Sequence, residues 1–188
     1  KVSVYPVVNF WIYRQKYLTN DQGTHHFLIG GTLKEDYTLD NLDIAIIKAI
    51  SRNARATLQE LSNTTKTSPS VIAYRISNLE KRKIILGYKA RINLAAIGYT
   101  NFKAQLYFHS FSSNLENKFR IFCSKHPRII SYIQQIGECR NELEIHAQDY
   151  NEYQNVIDEL RNSFPNLIDS VSSIMMRNES LNWAAFCS

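Results

Sequence analysis

Apolar residues along this chain change their spacing repeatedly, and each change marks a different kind of element. Residues 2–13 (VSVYPVVNFWIY) are rich in β-branched and aromatic types, which predicts a strand. Residues 19–38 carry Asn20-Asp21-Gln22-Gly23 and Gly30-Gly31 among polar positions and read as turn and linker. From Asp40 the period becomes helical. Leu42, Ile46 and Ile50 lie four apart with Ile47 beside them, and Asp40 with Asp43 is close to a capping-box pair. Thr57-Leu58-Gln59-Glu60 is a second box, opening a short helix whose apolar side is Leu58 and Leu61. A third helix opens at Ser68, an N-cap type, with Pro69 at the first helical position, where its missing N–H costs nothing. Ile72, Ile76 and Leu79 form its core stripe, and Lys81-Arg82-Lys83 closes it at the negative end of the helix dipole. Ile84–Tyr88 and Lys89–Asn93, two β-prone runs about Gly87, predict a two-stranded wing.

After Gly98 the period drops to two. Phe102, Ala104, Leu106 and Phe108 alternate with Lys103, Gln105, Tyr107 and His109, the pattern of a half-buried strand. Leu115, Phe119, Phe122 and Cys123 return to helical spacing. Residues 130–136 read as a strand and 137–141 as a turn; Leu143 and Ile145 then alternate with Glu142, Glu144 and His146. Asp149 and Glu152 open a helix with Tyr153, Val156, Ile157, Leu160 and Phe164 inward, and Pro165 stops it. Residues 171–176 make a last strand. The order from 100 to 176 is β-α-β-β-α-β, a ferredoxin-like arrangement. The fold class is therefore α+β: a winged helix-turn-helix followed by a ferredoxin-like unit. The expected divisions are 1–38, an N-terminal strand and linker; 39–97, the winged helix-turn-helix; and 98–188, the ferredoxin-like part.

Charge sharpens the first half of that picture. The whole chain carries +5. Residues 40–92 hold ten basic and four acidic side chains, net +6, against +1 before them and −2 after them. Such a patch attracts phosphate backbones whatever their sequence. The third helix is of a size to enter the major groove. With its apolar stripe inward, it offers Ser70, Ala73, Tyr74, Ser77 and Asn78 outward, just after Lys66 and Ser68. Ser70, Tyr74 and Ser77 are the candidates for base edges; Lys66, Arg75, Lys81 and Lys89 are the candidates for phosphates.

The run Thr38-Leu39-Asp40-Asn41-Leu42-Asp43 through Ser68-Pro69 and Arg75-Ile76-Ser77-Asn78-Leu79-Glu80, followed by Ile84–Tyr88, resembles the Lrp/AsnC (feast/famine) family of transcription regulators. Gly137-Glu138, the strand around Leu143-Glu144-Ile145 and Phe164-Pro165-Asn166-Leu167-Ile168 are similar to the family's second part, so the resemblance covers about 39–183. It implies double-stranded DNA as partner and a RAM-type effector domain that pairs sheets into homodimers or higher homo-oligomers. It also implies a small-molecule effector near the turn at Gly137, Glu138 and Arg140. The family's turn has an aspartate three residues after the glycine. Here Arg140 stands there, which favours a carboxylate or phosphate over an ammonium group.

An enzyme resembling the siroheme decarboxylases, built on the same scaffold, is the alternative; it would gather His109, His126, His146, Arg128 and Arg140 at one cleft. No Ser/His/Asp grouping, glycine-rich phosphate loop or metal-ligand spacing is present, so no catalytic residue, metal or cofactor is expected. Cys123, Cys139 and Cys187 are widely spaced, as in a reduced cytoplasmic protein, and no run of eighteen apolar residues suggests a membrane span. Residues 5–18 are loosely similar to 172–186. With lysine at position 1, this suggests either that the first segment is the last strand of a preceding copy in a tandem protein or that it is an ordinary extra strand or swapped arm.

Overall fold

The computed structural model describes residues 7–19, 26–29, 37–88, 90, 92–109, 112–137 and 140–176, with backbone alone for 26–29. The chain divides into two compact units. The described residues up to 29 and from 92 onward form one, and those from 37 to 90 form the other.

The larger unit is one six-stranded antiparallel sheet. Its elements are β1 (Val7–Tyr13), α1 (Lys16–Thr19), β2 (His26–Ile29), β3 (Thr100–Phe108), α5 (Ser113–Lys125), β4 (Ile129–Gln135), β5 (Asn141–Ala147), α6 (Tyr150–Ser163) and β6 (Ile168–Met176), in the strand order β2-β1-β4-β5-β3-β6. The numbering leaves α2 to α4 for the other unit. Strands β3 to β6 with α5 and α6 are the ferredoxin-like βαββαβ core. Alternation in β3 puts Phe102, Ala104 and Leu106 on the face that α5 and α6 cover. Phe119 of α5 is the hub, edge-on to Phe108, Tyr132 and Phe164 at 5.3–5.4 Å. From α6, Tyr153, Val156, Ile157 and Leu160 close the layer, with Tyr153 stacked on Phe102 at 4.6 Å. Burial pushes the Cys123 thiol up, as an inert core cysteine requires.

Three expectations change here. Residues 19–38 are not simply turn and linker, because β2 lies within them and pairs with β1. Strand β6 starts at Ile168, three residues before the expected start. Glu142 and His146, placed on a wet face by alternation, are buried to 9% and 6% exposure. Strand β5 is central, so neighbours flank these side chains. Glu142 takes the Lys103 ammonium at 3.0 Å, and His146 Nδ1 lies 2.6 Å from the Tyr17 hydroxyl.

The described residues 7–19 are fastened to this unit. Trp11 stacks on Tyr132 at 5.1 Å, Asn9 donates to the Gln134 side chain at 3.0 Å, and Lys16 donates to the Ser124 carbonyl. Tyr17 packs on Tyr99 at 4.6 Å, and the Arg128 guanidinium lies over both rings while donating to the Tyr99 hydroxyl and pairing with Glu152.

The smaller unit contains α2 (Asn41–Arg52), α3 (Leu58–Thr65) and α4 (Pro69–Lys81), packed about Ile46, Leu61 and Ile72. Burying each such side chain contributes about 2 kcal/mol. Among the described residues of 84–93 there is no strand, only bends and irregular backbone; Lys89 and Arg91 lie outside the described residues. No helix among the described residues is long and apolar enough to cross a membrane.

Candidate nucleic-acid interface

Local hydrogen bonding fixes where each helix of the smaller unit begins. Asp40 accepts from the Asp43 N–H at 2.8 Å, and the Asp43 carboxylate returns to the Asp40 N–H. Thr57 accepts from the Glu60 N–H at 3.2 Å while the Glu60 carboxylate accepts from the Thr57 N–H at 2.7 Å, which holds Glu60 below the usual carboxylate range. Helix α3 ends at Lys66, whose φ of 55° is left-handed backbone rarely adopted by a residue with a side chain. This turns the chain into α4 within three residues. Ser68 has extended N-cap backbone but makes no side-chain cap; its hydroxyl lies 3.2 Å from that of Ser70. Pro69 at the first position therefore carries the start of the helix.

Once α4 is seated by Ile72 and Leu79, both fully buried, its remaining faces are set. Tyr74 is 65% exposed; Ser70 and Lys81 are exposed on the same side, and Ala73, Ser77 and Asn78 are half-buried beside them. Lys66 and Ser68 are exposed just ahead of the helix. Val71 also reaches solvent, next to Ser70. Sequence reasoning missed it because an apolar residue off the core stripe carries no polar signal. Lys66 and Lys81 enter no ion pair among the described residues. Lys89 lies outside them.

Arg75, a phosphate candidate in the sequence, is bound within the unit, its Nη1 2.6 Å from an Asp40 oxygen and 3.3 Å from an Asp43 oxygen. Hydrogen bonding to Asp40 raises the Arg75 pKa. Asp40 is held below its ordinary value first by the Asp43 N–H and then by Arg75. Asp43 is 1% exposed, so its carboxylate depends on the pairing with Arg75.

Residues 39–85 match the family model described as winged helix-turn-helix DNA-binding. The transcriptional regulator LrpA of Mycobacterium tuberculosis is 38% identical over 61 residues, 32% of this chain and 41% of that protein. The chain thus spans about two fifths of LrpA's length. The regulator FL11 of Pyrococcus horikoshii is 27% identical over 146 residues, 74% of this chain and 90% of FL11. An AsnC-family regulator from Agrobacterium tumefaciens has the same fold, with a TM-score of 0.67 at 17% identity over 75% of this chain and 92% of that one. The chain is thus similar to regulators of the Lrp/AsnC type. A further structure with this fold is the Neisseria meningitidis regulator NMB0573 in complex with L-Met, with a TM-score of 0.68 at 23% identity over 76% of this chain and 92% of that one.

Two of the three residues expected at an effector turn are described. Gly137 has a φ of 148°, backbone that strongly favours glycine, and the Gln135 N–H closes the hairpin on the Arg140 carbonyl at 2.9 Å. Arg140 is exposed; Glu138 lies outside the described residues. The enzyme alternative is not supported. Arg128 and Arg140 sit at opposite ends of β4, His109 is exposed beside Asp169, and His126 is spent on Glu159 at 3.1 Å, so the five side chains share no cleft.

Proposed function

We propose that this chain is a sequence-specific double-stranded DNA-binding transcription regulator of Lrp/AsnC type, acting as a homodimer in the cytoplasm. The observation that carries this is the outward face of α4: Ser70, Tyr74 and Ser77 along one side, with the exposed cations Lys66 and Lys81 at its two ends. Hydroxyls and a phenol suit base edges, and ammonium groups suit the flanking phosphates. Recognition is assigned to residues 39–97, and assembly and sensing to 98–188.

The homodimer forms through the sheet face turned away from α5 and α6, where Lys103, Glu142 and Glu144 make a paired polar centre. The effector site is the Gly137–Arg140 turn. NMB0573 is a relative in fold whose complex holds L-Met. In this chain Arg140 selects a ligand by its carboxylate.

The test is anisotropy of labelled duplex at 50 and 200 mM salt. Each neutralised phosphate contributes about 0.9 to the slope of log affinity on log salt, so the fourfold rise in salt costs about 3.5-fold per contact. The Lys66→Ala/Lys81→Ala variant is expected to bind more weakly to all duplexes and with a shallower slope. Unchanged affinity and slope would overturn the assignment of this face.

A further inference from the structure

The capping box of α2 does a second job. Each of its two carboxylates gives one oxygen to the box and the other to Arg75. Asp40 Oδ1 takes the Asp43 N–H at 2.8 Å and its Oδ2 takes Arg75 Nη1 at 2.6 Å. Asp43 Oδ2 takes the Tyr37 hydroxyl at 2.8 Å and the Asp40 N–H, while its Oδ1 takes the same Arg75 Nη1 at 3.3 Å. Arg82, the C-cap of α4, lies over the Tyr37 ring at 4.7 Å. Two points of α4 half a helix apart are therefore tied to residues at and just before the start of α2.

Arg75 sits mid-helix and directly follows Tyr74. Consecutive helical residues are about 100° apart around the axis. Fixing the azimuth of Arg75 thereby fixes that of Tyr74. Apolar contacts through Ile72 and Leu79 hold α4 down but are non-directional, so they tolerate small rotation and sliding. A cation seated between two carboxylates has directional partners and does not.

We infer that Arg75 is a positioning residue: with Asp40, Asp43 and Tyr37 it sets the rotation of the reading helix, and it makes no phosphate contact itself. The consequence for duplex affinity rests on the proposed function, but the lock itself does not.

The test uses the full chain with Asp40→Asn, Arg75→Gln and the double variant. Asparagine keeps the N-cap while removing the charge. Two quantities are read: duplex affinity against salt, and hydrogen exchange of the α4 backbone amides with no DNA present. Positioning predicts that either single variant weakens affinity about fivefold, that the double variant loses no more than one single, and that the salt slope stays put. Exchange in α4 should quicken in all three while α6 is unchanged, which also verifies that the variants fold. Removing an acid near DNA would by charge alone tighten binding, so a tighter Asp40→Asn overturns the inference. So does a slope about 0.9 shallower in Arg75→Gln, the mark of a lost phosphate contact. If the parent chain binds no duplex, the proposed function fails by itself. Quickened α4 exchange in both singles, without additivity in the double, then still supports the lock, and unchanged exchange ends it.

Discussion

Replacing Trp11 by alanine asks whether β1 belongs to the larger unit in solution. Trp11 is 8% exposed, stacked on Tyr132 at 17° between ring planes, with the Arg120 guanidinium 5.8 Å from its ring. In the ladder it stands opposite Tyr132 itself, so the ring contact and the strand register support one another. Truncating a core tryptophan costs about 3–5 kcal/mol, part of it from the void left behind. The low end applies here. Strand β1 is one place from the sheet edge, its outer neighbour β2 is four residues long, and the long Arg120 side chain can fill part of the space. A loss of about 3 kcal/mol is the result. With a urea slope of about 2 kcal/mol per molar, the midpoint of the sheet unit falls by about 1.5 M. Urea titration followed by circular dichroism, with separate fits for the two units, measures it. A loss below about 1 kcal/mol would mean that β1 does not rest on β4 in solution.

Two further outcomes follow from named side chains. Tyr74→Ala removes the most exposed side chain on the reading face, so it should alter preference among duplex sites by about 1–3 kcal/mol while leaving the salt slope alone; selection from a random duplex library that returns the same preferred site from parent and variant would contradict this. Tyr17 is pushed up to about 12, by burial first and Tyr99 second, against the opposing pull of Arg128. Its unfolded value is near 10, so the stability it gives is fully present below pH 10 and is lost as pH climbs through 12. Tyr17→Phe should cost about 1 kcal/mol at neutral pH through the lost partner of His146, and should flatten part of that alkaline decline. Melting curves from pH 8 to 12 that fall identically for both proteins would refute the assignment.

What could be read from the residues was local. The boxes at Asp40/Asp43 and Thr57/Glu60 need only a spacing of three, and both form. The β-α-β-β-α-β order follows from period changes within each element, and it holds from β3 to β6. What escaped was set by partners far along the chain. Which sheet edge β1 joins depends on residues about 120 positions away, such as Tyr132 and Gln134, and periodicity says nothing about that. Arg75 looked like one more cation on a basic helix because its two acids stand 32 and 35 positions earlier. Glu142 and His146 fit an alternating strand with a wet face until a lysine from β3 and a tyrosine from α1 closed over them. Val71 was passed over for the opposite reason, since nothing in its type marks it as outward.

The same distinction bears on how much of the +6 in residues 40–92 is available to DNA. A count of charges treats every cation as equal, but the fold spends them differently. Arg75 is held by two carboxylates and Arg82 lies on a tyrosine ring, so their charge is converted into orientation of α4. Lys66 and Lys81 are left outward, one just before the helix and one at its end, where the proposed function has them attract phosphate. The division follows side-chain chemistry. A guanidinium presents several donors in a rigid plane and loses little on being fixed, which suits it to ties within the protein. An ammonium on a flexible stem is costly to fix and strongly hydrated, which suits it to a mobile, screened contact with phosphate. On the proposed function, a change at Lys66 or Lys81 is therefore expected to move the salt slope, and a change at Arg75 to lower affinity while leaving that slope in place.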